Sequence, residues 1–173
     1  MGAFSIRNAE ISDAPRLVEI YAYYVEKTAI SFEYEVPSVE EFENRIRKVT
    51  KKYPYLVCED DGRIVGYCYA GTYSTREAYD WTVVTSIYVD KDYRRQGIGS
   101  MMYEALEEEL KKRGIVNLLA GVAACDVEDE YLTNASNSFH IKSGYEKVAL
   151  MKKIGKKFDR WYDLIWFQKR IGD

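Results

Sequence analysis

The stretch that most constrains this chain is WTVVTSIYVDKDYRRQGIGSMMYEAL, from Trp81 to Leu106. Trp81–Val89 is dominated by β-branched and aromatic residues and predicts a strand. A helical period opens at about Gly97 and runs to Arg113, with Gly114 as its stop signal. The corner between them reads Arg94-Arg95-Gln96-Gly97-Ile98-Gly99-Ser100. The first turn of a helix has unpaired backbone N–H groups and the positive end of the helix dipole. Glycines let an anion approach those amides without meeting a Cβ, and two arginines add charge. The corner is therefore a candidate cradle for a diphosphate. A P-loop would need GxxxxGK[ST], and a dinucleotide fingerprint would need GxGxxG. Neither fits, because Gly97-Ile98-Gly99 is followed by Ser-Met-Met. The plainer alternative is that the glycines only permit a tight strand-to-helix turn.

The rest of the chain supplies an α/β frame for this corner. Phe4–Arg7 reads as a short strand. Ser12 or Asp13 can cap a helix to about Lys27, with Pro15 tolerated in its first turn. Ser38 and Glu41 form a capping box for a helix to about Lys51. Tyr55–Glu59 and Ile64–Tyr73 flank the turn DDGR and read as a hairpin. Val116–Ala123 is the next strand. Thr133 or Asn134 can cap a helix to Ser143, and strands follow at about Glu146–Ile154 and Tyr162–Gln168. The order is β-α-α-β-β-β-α-β-α-β-β, an α/β layer fold of the α+β type. No linker or repeat interrupts it, so residues 1–173 read as one domain.

Bulk properties exclude several classes. With 47% hydrophobic and 31% charged residues the chain is an ordinary globular one, and a net charge of −3 gives no reason to expect a nucleic-acid binder. Cys58, Cys68 and Cys125 form no CxxC pair, so no metal site or disulfide framework is expected. The opening MGAFSIRNAE has no apolar leader run, and no stretch is long enough for a membrane span. These features predict a cytoplasmic protein with no membrane partner. The 16 tyrosines are unusual, and many fall where a groove could be lined.

The pattern Arg94-x-x-Gly97-x-Gly99, directly after a strand ending Ile87-Tyr88-Val89, resembles the signature of the GNAT superfamily of acetyl-CoA-dependent N-acetyltransferases. REAYDWT (Arg76–Thr82), SIYVD (Ser86–Asp90), NASNSFHIKSGY (Asn134–Tyr145) and GKKFDRWYDLIWFQ (Gly155–Gln168) resemble its phosphinothricin and methionine sulfone acetyltransferase branch. The resemblance implies a central, mixed, mostly antiparallel twisted sheet flanked by helices. It implies acetyl-CoA as co-substrate, a small amino-acid-like amine as acceptor, and a homodimer. Coenzyme contacts then fall to Ile87, Tyr88, Val89, Arg94, Arg95, Gln96, Gly97, Ile98, Gly99, Ser100, Asn134 and Ser136. Acceptor contacts fall to Phe32, Glu33, Arg76 and Tyr79. Ser74 stands where the phosphinothricin enzymes carry a basic residue.

His140 is the only histidine. The resemblance makes it a general acid or relay for the departing thiolate, and a hydrogen-bonded core histidine is the alternative. The branch places a general-base Glu two residues after the Thr of its Trp-Thr pair, where this chain has Val84. A held water, or another carboxylate such as Glu33, Asp126, Glu128, Asp129 or Glu130, would have to serve instead. The substitution keeps open a coenzyme-binding sensor with weak or lost transfer, and a peptide or protein acetyltransferase is a further alternative. Alternation places Val84, Ser86 and Tyr88 on one face of the strand and Thr85, Ile87 and Val89 on the other.

Overall fold

All seven strands read from the sequence form, and they join one sheet in the order β1-β2-β3-β4-β5-β7-β6. The computed structural model describes residues 3–173. The strands are β1 (Phe4–Asn8), β2 (Tyr55–Asp60), β3 (Arg63–Thr72), β4 (Thr82–Val89), β5 (Asn117–Ala124), β6 (Glu146–Lys157) and β7 (Arg160–Arg170). The helices are α1 (Ala14–Glu26), α2 (Val39–Thr50), α3 (Ile98–Lys112) and α4 (Ala135–Lys142). Only β4 and β5 pair in parallel; every other neighbour is antiparallel.

Local signals set most boundaries. Asp61 and Gly62 both take positive φ, 47° and 82°, as the tight β2–β3 turn requires. Ser38 caps α2 by accepting the Glu41 N–H at 3.1 Å, while the Glu41 carboxylate turns outward to Arg45. Asp13 is the N-cap residue of α1, one of the two positions expected, but its side chain makes no capping bond there. A 3-10 turn at Ile11–Asp13 precedes α1, and the Asp13 carboxylate reaches back to the Glu10 N–H at 2.7 Å. Arg7 also claims Asp13 at 2.8 Å, which fixes β1 against the start of α1.

The sheet separates two layers. One core cluster packs α1 and α2 on Tyr55, Val57, Tyr67, Tyr69 and Tyr88. The other packs α3 on Cys58, Cys68, Val83, Ile87 and Val89. Strand β4 divides as alternation predicts, with Tyr88 on the α1–α2 side and Val83, Ile87 and Val89 on the α3 side. The edge strand β6 is exposed over most of its length. Val148, Leu150, Met151, Ile154 and, at the start of β7, Trp161 are all at least 40% exposed.

Candidate active site

The site begins with a pairing that stops. Strands β4 and β5 are in register only over Thr82–Val84 and Asn117–Leu119. Beyond that β5 continues along β7 through Ala124, and β4 continues along β3 through Val89. The two strands diverge, and the edges of Thr85–Val89 and Ala120–Ala124 that face each other have no ladder partner. At the apex the Thr85 hydroxyl meets the Tyr145 hydroxyl at 2.9 Å and the Leu119 carbonyl at 3.4 Å. A cavity of about 70 Å³ occupies the wedge, between Ser86–Tyr88 on one side and Ala120–Ala123 on the other. Buried backbone groups demand partners, so an extended ligand with its own amides fits here as an added strand.

The glycine corner stands at the open end of β4. Arg95 and Gly97 take left-handed φ values of 61° and 80°. Gly97 is the N-cap of α3, and the first helical bond runs from the Met101 N–H to the Gly97 carbonyl at 3.1 Å. The N–H groups of Ile98, Gly99 and Ser100 therefore precede the ladder and are free to receive an anion. Gly99 also has a packing reason, because a Cβ there would lie 3.0 Å from the Phe139 ring of α4. Arg94 lies over Tyr23 and Tyr24, 5.0 and 5.5 Å from their ring centres. This cation–π seat keeps the guanidinium beside the corner. The Tyr24 hydroxyl donates to the Val89 carbonyl and ties the end of β4 to α1.

His140 lies under the wedge and lines it together with Tyr103 and Ser136. It is 3% exposed. Its Nδ1 lies 2.8 Å from the Ser136 carbonyl, and its Nε2 lies 3.0 Å from the Tyr103 hydroxyl. A carbonyl can only accept, so Nδ1 carries the proton and Nε2 accepts from Tyr103. Burial holds the imidazole below its usual pKa, opposed only by the Ser136 bond. The histidine is thus neutral and orients the Tyr103 hydroxyl. Thr85, Tyr145, Tyr103 and His140 form one buried polar chain. Tyr103, Thr85 and Tyr145 were not singled out by sequence reasoning. Tyr103 reads as one more apolar position on the α3 stripe.

On the acceptor side, Phe32 and Glu33 line a cavity of about 450 Å³ together with Tyr21, Tyr88 and Gly121. Tyr88 and Gly121 also face the wedge, so the two spaces adjoin. Glu33 pairs with Arg45 at 2.9 Å. The acids of the 126–130 loop are engaged elsewhere. Asp126 pairs with Lys152, and Asp129 and Glu130 pair with Arg160. Glu128 accepts the Asn134 N–H at 3.3 Å. Among the carboxylates considered as a base, Glu33 alone lines a cavity beside β4.

Two groups fall differently from expectation. Arg76 and Tyr79 lie in the exposed β3–β4 connection and line none of the cavities described here. Asn134 is the N-cap residue of α4, but its side chain faces inward. It donates to the Cys125 carbonyl at 3.2 Å and accepts from the Asn137 amide at 3.0 Å. It joins the end of β5 to α4.

An acetyltransferase (GNAT) domain model matches residues 6–166. The chain belongs to this family. It is 32% identical to a phosphinothricin N-acetyltransferase of Alcaligenes faecalis, over 98% of this chain and 83% of that protein. It is also 32% identical to an L-methionine sulfoximine/L-methionine sulfone acetyltransferase of Pseudomonas aeruginosa, over 96% and 94% of the two chains. A phosphinothricin acetyltransferase from Sinorhizobium meliloti, solved in complex with acetyl-CoA, superposes with a TM-score of 0.88 at 29% identity, over 98% of this chain and 89% of that one. The mixed sheet, the element order and the acetyltransferase assignment thus agree with the sequence reading. A sensor that has abandoned transfer is not favoured.

Proposed function

We propose that this GNAT enzyme transfers acetyl from acetyl-CoA to the amine of a small amino-acid-like acceptor, and that residues 1–173 act as one catalytic domain. The observation that carries the reading is the β4–β5 wedge, which opens onto the left-handed glycine corner at one end and the Phe32–Glu33 cavity at the other. Acetyl-CoA supplies the thioester and its leaving thiolate. The exposed β4 edge over Ile87–Val89 binds the extended arm as a strand. The corner amides of Ile98–Ser100, with Arg94, Arg95 and Gln96, hold the diphosphate. Ser136 lines the wedge and fixes His140 through its carbonyl.

The chemistry requires a neutral amine and a proton for the leaving sulfur. Tyr103, whose one hydroxyl hydrogen rests on His140 Nε2, would supply it to the leaving sulfur by turning about its C–O bond into the wedge. The proton shed by the attacking nitrogen balances the one the sulfur gains. Val84 cannot accept a proton, so Glu33, directly or through water, is the carboxylate placed to neutralise the ammonium. Phe32 and Tyr88 form apolar walls of the acceptor cavity. A protein-acetylating role has less support, because the curated relatives named above are acetyltransferases of small amino-acid-like compounds.

Homodimerisation is supported by the exposed apolar residues of β6 and Trp161, which leave a long edge strand uncovered. In such an assembly the exposed Arg76 and Tyr79 would have a surface to complete. The free thiols of Cys58, Cys68 and Cys125 suit a reducing cytoplasm. Among the described residues no helix is long and apolar enough to cross a membrane. The decisive experiment measures thiol release from acetyl-CoA across a panel of amino acids, methionine sulfone, polyamines and peptides. Saturable turnover on free amino acids supports the reading. Turnover confined to peptides, or none with any amine, refutes it.

A further inference from the structure

Asp90 is a buried carboxylate, 7% exposed. It stands where β4 ends and a 3-10 turn, Lys91–Tyr93, leads to the glycine corner. All of its polar groups are engaged. Its N–H donates to the Val65 carbonyl at 2.8 Å, one step beyond the last β3–β4 register pair, Gly66–Val89. Its carbonyl accepts the Tyr93 N–H at 2.9 Å. Its Oδ1 accepts the Asp92 N–H at 3.0 Å, and its Oδ2 accepts from Arg16 Nη2 at 2.5 Å. Burial opposes the charge, but the Asp92 N–H and Arg16 together hold the carboxyl below its usual pKa.

Arg16 is the third residue of α1. A cation in the first turn of a helix opposes the helix dipole, so helix stability does not account for it. The same guanidinium donates from Nε to the Ile64 carbonyl at 3.0 Å, and so joins the start of β3 to the end of β4. Seven and eight residues on, about 12 Å along the helix, Tyr23 and Tyr24 meet the same stretch. The Tyr24 hydroxyl holds the Val89 carbonyl, and both rings seat Arg94. One face of α1 thus grips Val89, Asp90 and Arg94. Residues 94–97 are exposed, and Arg95 and Gly97 are left-handed, so the corner takes its position from its ends. Ile98, 1% exposed, anchors the far end in the core under α3. Asp90 anchors the near end.

We propose that Arg16 is a positioning residue for acetyl-CoA. Through Asp90 it fixes the glycine corner relative to the β4 edge, and with it the distance between the seat of the diphosphate and the seat of the extended arm. The inference rests on the coenzyme placement above and adds a residue that lines none of the cavities described.

The test measures acetyl-CoA affinity by calorimetry in the wild type and in the double variant Arg16→Met/Asp90→Asn. Both charges go together, so no carboxylate is left buried without its cation. Asparagine keeps an oxygen for the Asp92 N–H, and methionine has no donor to compete for it. The turn survives and only the tie to α1 is lost. The Kd for acetyl-CoA should rise about tenfold. At saturating acetyl-CoA, kcat and the KM of the best acceptor from the panel above should change by less than about twofold. Asp90→Asn alone gives a second reading in the same direction, because one amide oxygen must then serve both Arg16 and the Asp92 N–H. An unchanged Kd in either variant, or an acceptor KM that rises as far as the coenzyme Kd, would overturn the positioning role and leave the transferase intact. A wild type that binds no acetyl-CoA would overturn the coenzyme site itself.

Discussion

Replacing Lys157 with methionine should loosen the acceptor site without touching the coenzyme site. Lys157 is 4% exposed and sits at the tip of the β6–β7 hairpin. Its ammonium donates to the carbonyls of Val25, Thr28 and Ser31 at 2.6, 2.8 and 2.7 Å. It therefore covers the carbonyl end of α1 and pins the following loop, which carries Phe32 and Glu33. Two neighbours reinforce the clamp. The Tyr34 hydroxyl donates to the Lys156 carbonyl, and the Phe32 ring lies where a Cβ on Gly155 would sit, 2.5 Å away. Methionine keeps the stem and removes every donor. Each orphaned buried carbonyl costs about 1–3 kcal/mol. Water in the adjoining groove beside Val25 and Phe158 offsets part of this, so the net loss should be about 3–5 kcal/mol. For a chain of this size that lowers the melting temperature by about 6–20 °C. Lys157→Arg should not restore it, because a planar guanidinium cannot match three acceptors arranged around a tetrahedral nitrogen. The assays are thermal melting by circular dichroism, acceptor KM, and acetyl-CoA affinity by calorimetry. Acceptor KM should rise about tenfold, worth about 1.4 kcal/mol, with coenzyme affinity unchanged. A variant that melts like the wild type, or that loses coenzyme affinity as much as acceptor affinity, refutes the clamp.

Gly97→Glu forces a side chain into the left-handed region at a cost of about 1–2 kcal/mol and sets a carboxylate beside the corner amides. Calorimetry should show coenzyme binding abolished in a folded protein. His140→Gln should lower turnover about a hundredfold with little change in coenzyme affinity, as stopped-flow and calorimetry would show. It should also alter acid stability. The folded pKa of His140 is depressed, so the native state binds fewer protons than the unfolded chain. Its contribution is complete above the unfolded value of about 6.5 and is lost as pH falls through the lower folded value. Melting between pH 7 and pH 5 should then decline more steeply in the wild type than in His140→Gln. Val84→Glu places a carboxylate on the acceptor face of β4, at a cost of about 1–3 kcal/mol. Turnover at neutral pH should rise, most for amines of high pKa, and a pH–rate profile that is nowhere faster would show that position 84 does not serve the amine.

Periodicity carried most of the architecture. The alternating runs of β2–β5 and the α3 stripe were legible because each buries one face or both. The glycine corner was legible because a strand, two glycines at that spacing and a helix have few other uses. What escaped the sequence depends on where strands part and what lies across space. Nothing in TSIYV announces that β5 leaves β4 after Val84, because a strand looks alike on paired and unpaired edges. Lys157 lies in KKIGKKFDR and reads as a solvated charge run, until the hairpin folds back onto α1. The tyrosines suggested a lined groove, but only the β2–β3–β4 register brings Tyr55, Tyr67, Tyr69 and Tyr88 to one face. Arg76 and Tyr79 matched a motif, but the exposed loop that holds them places them in none of the cavities described above.

The parting of β4 from β5 also has a mechanical side. The left part of the sheet, β1–β4, and the right part, β5–β7, share a ladder of only three register pairs, with Thr85 as a hydroxyl bolt at its end. A ligand that lays its amides along both open edges makes the sheet continuous. Slow-exchanging amides in Ser86–Val89 and Ala120–Ala123 should then appear together on binding, although neither strand moves. The same linkage stabilises the whole protein by about 2.7 kcal/mol at a hundredfold excess of ligand over its Kd, so a coenzyme bound as proposed would be a structural member of the sheet for as long as it stayed.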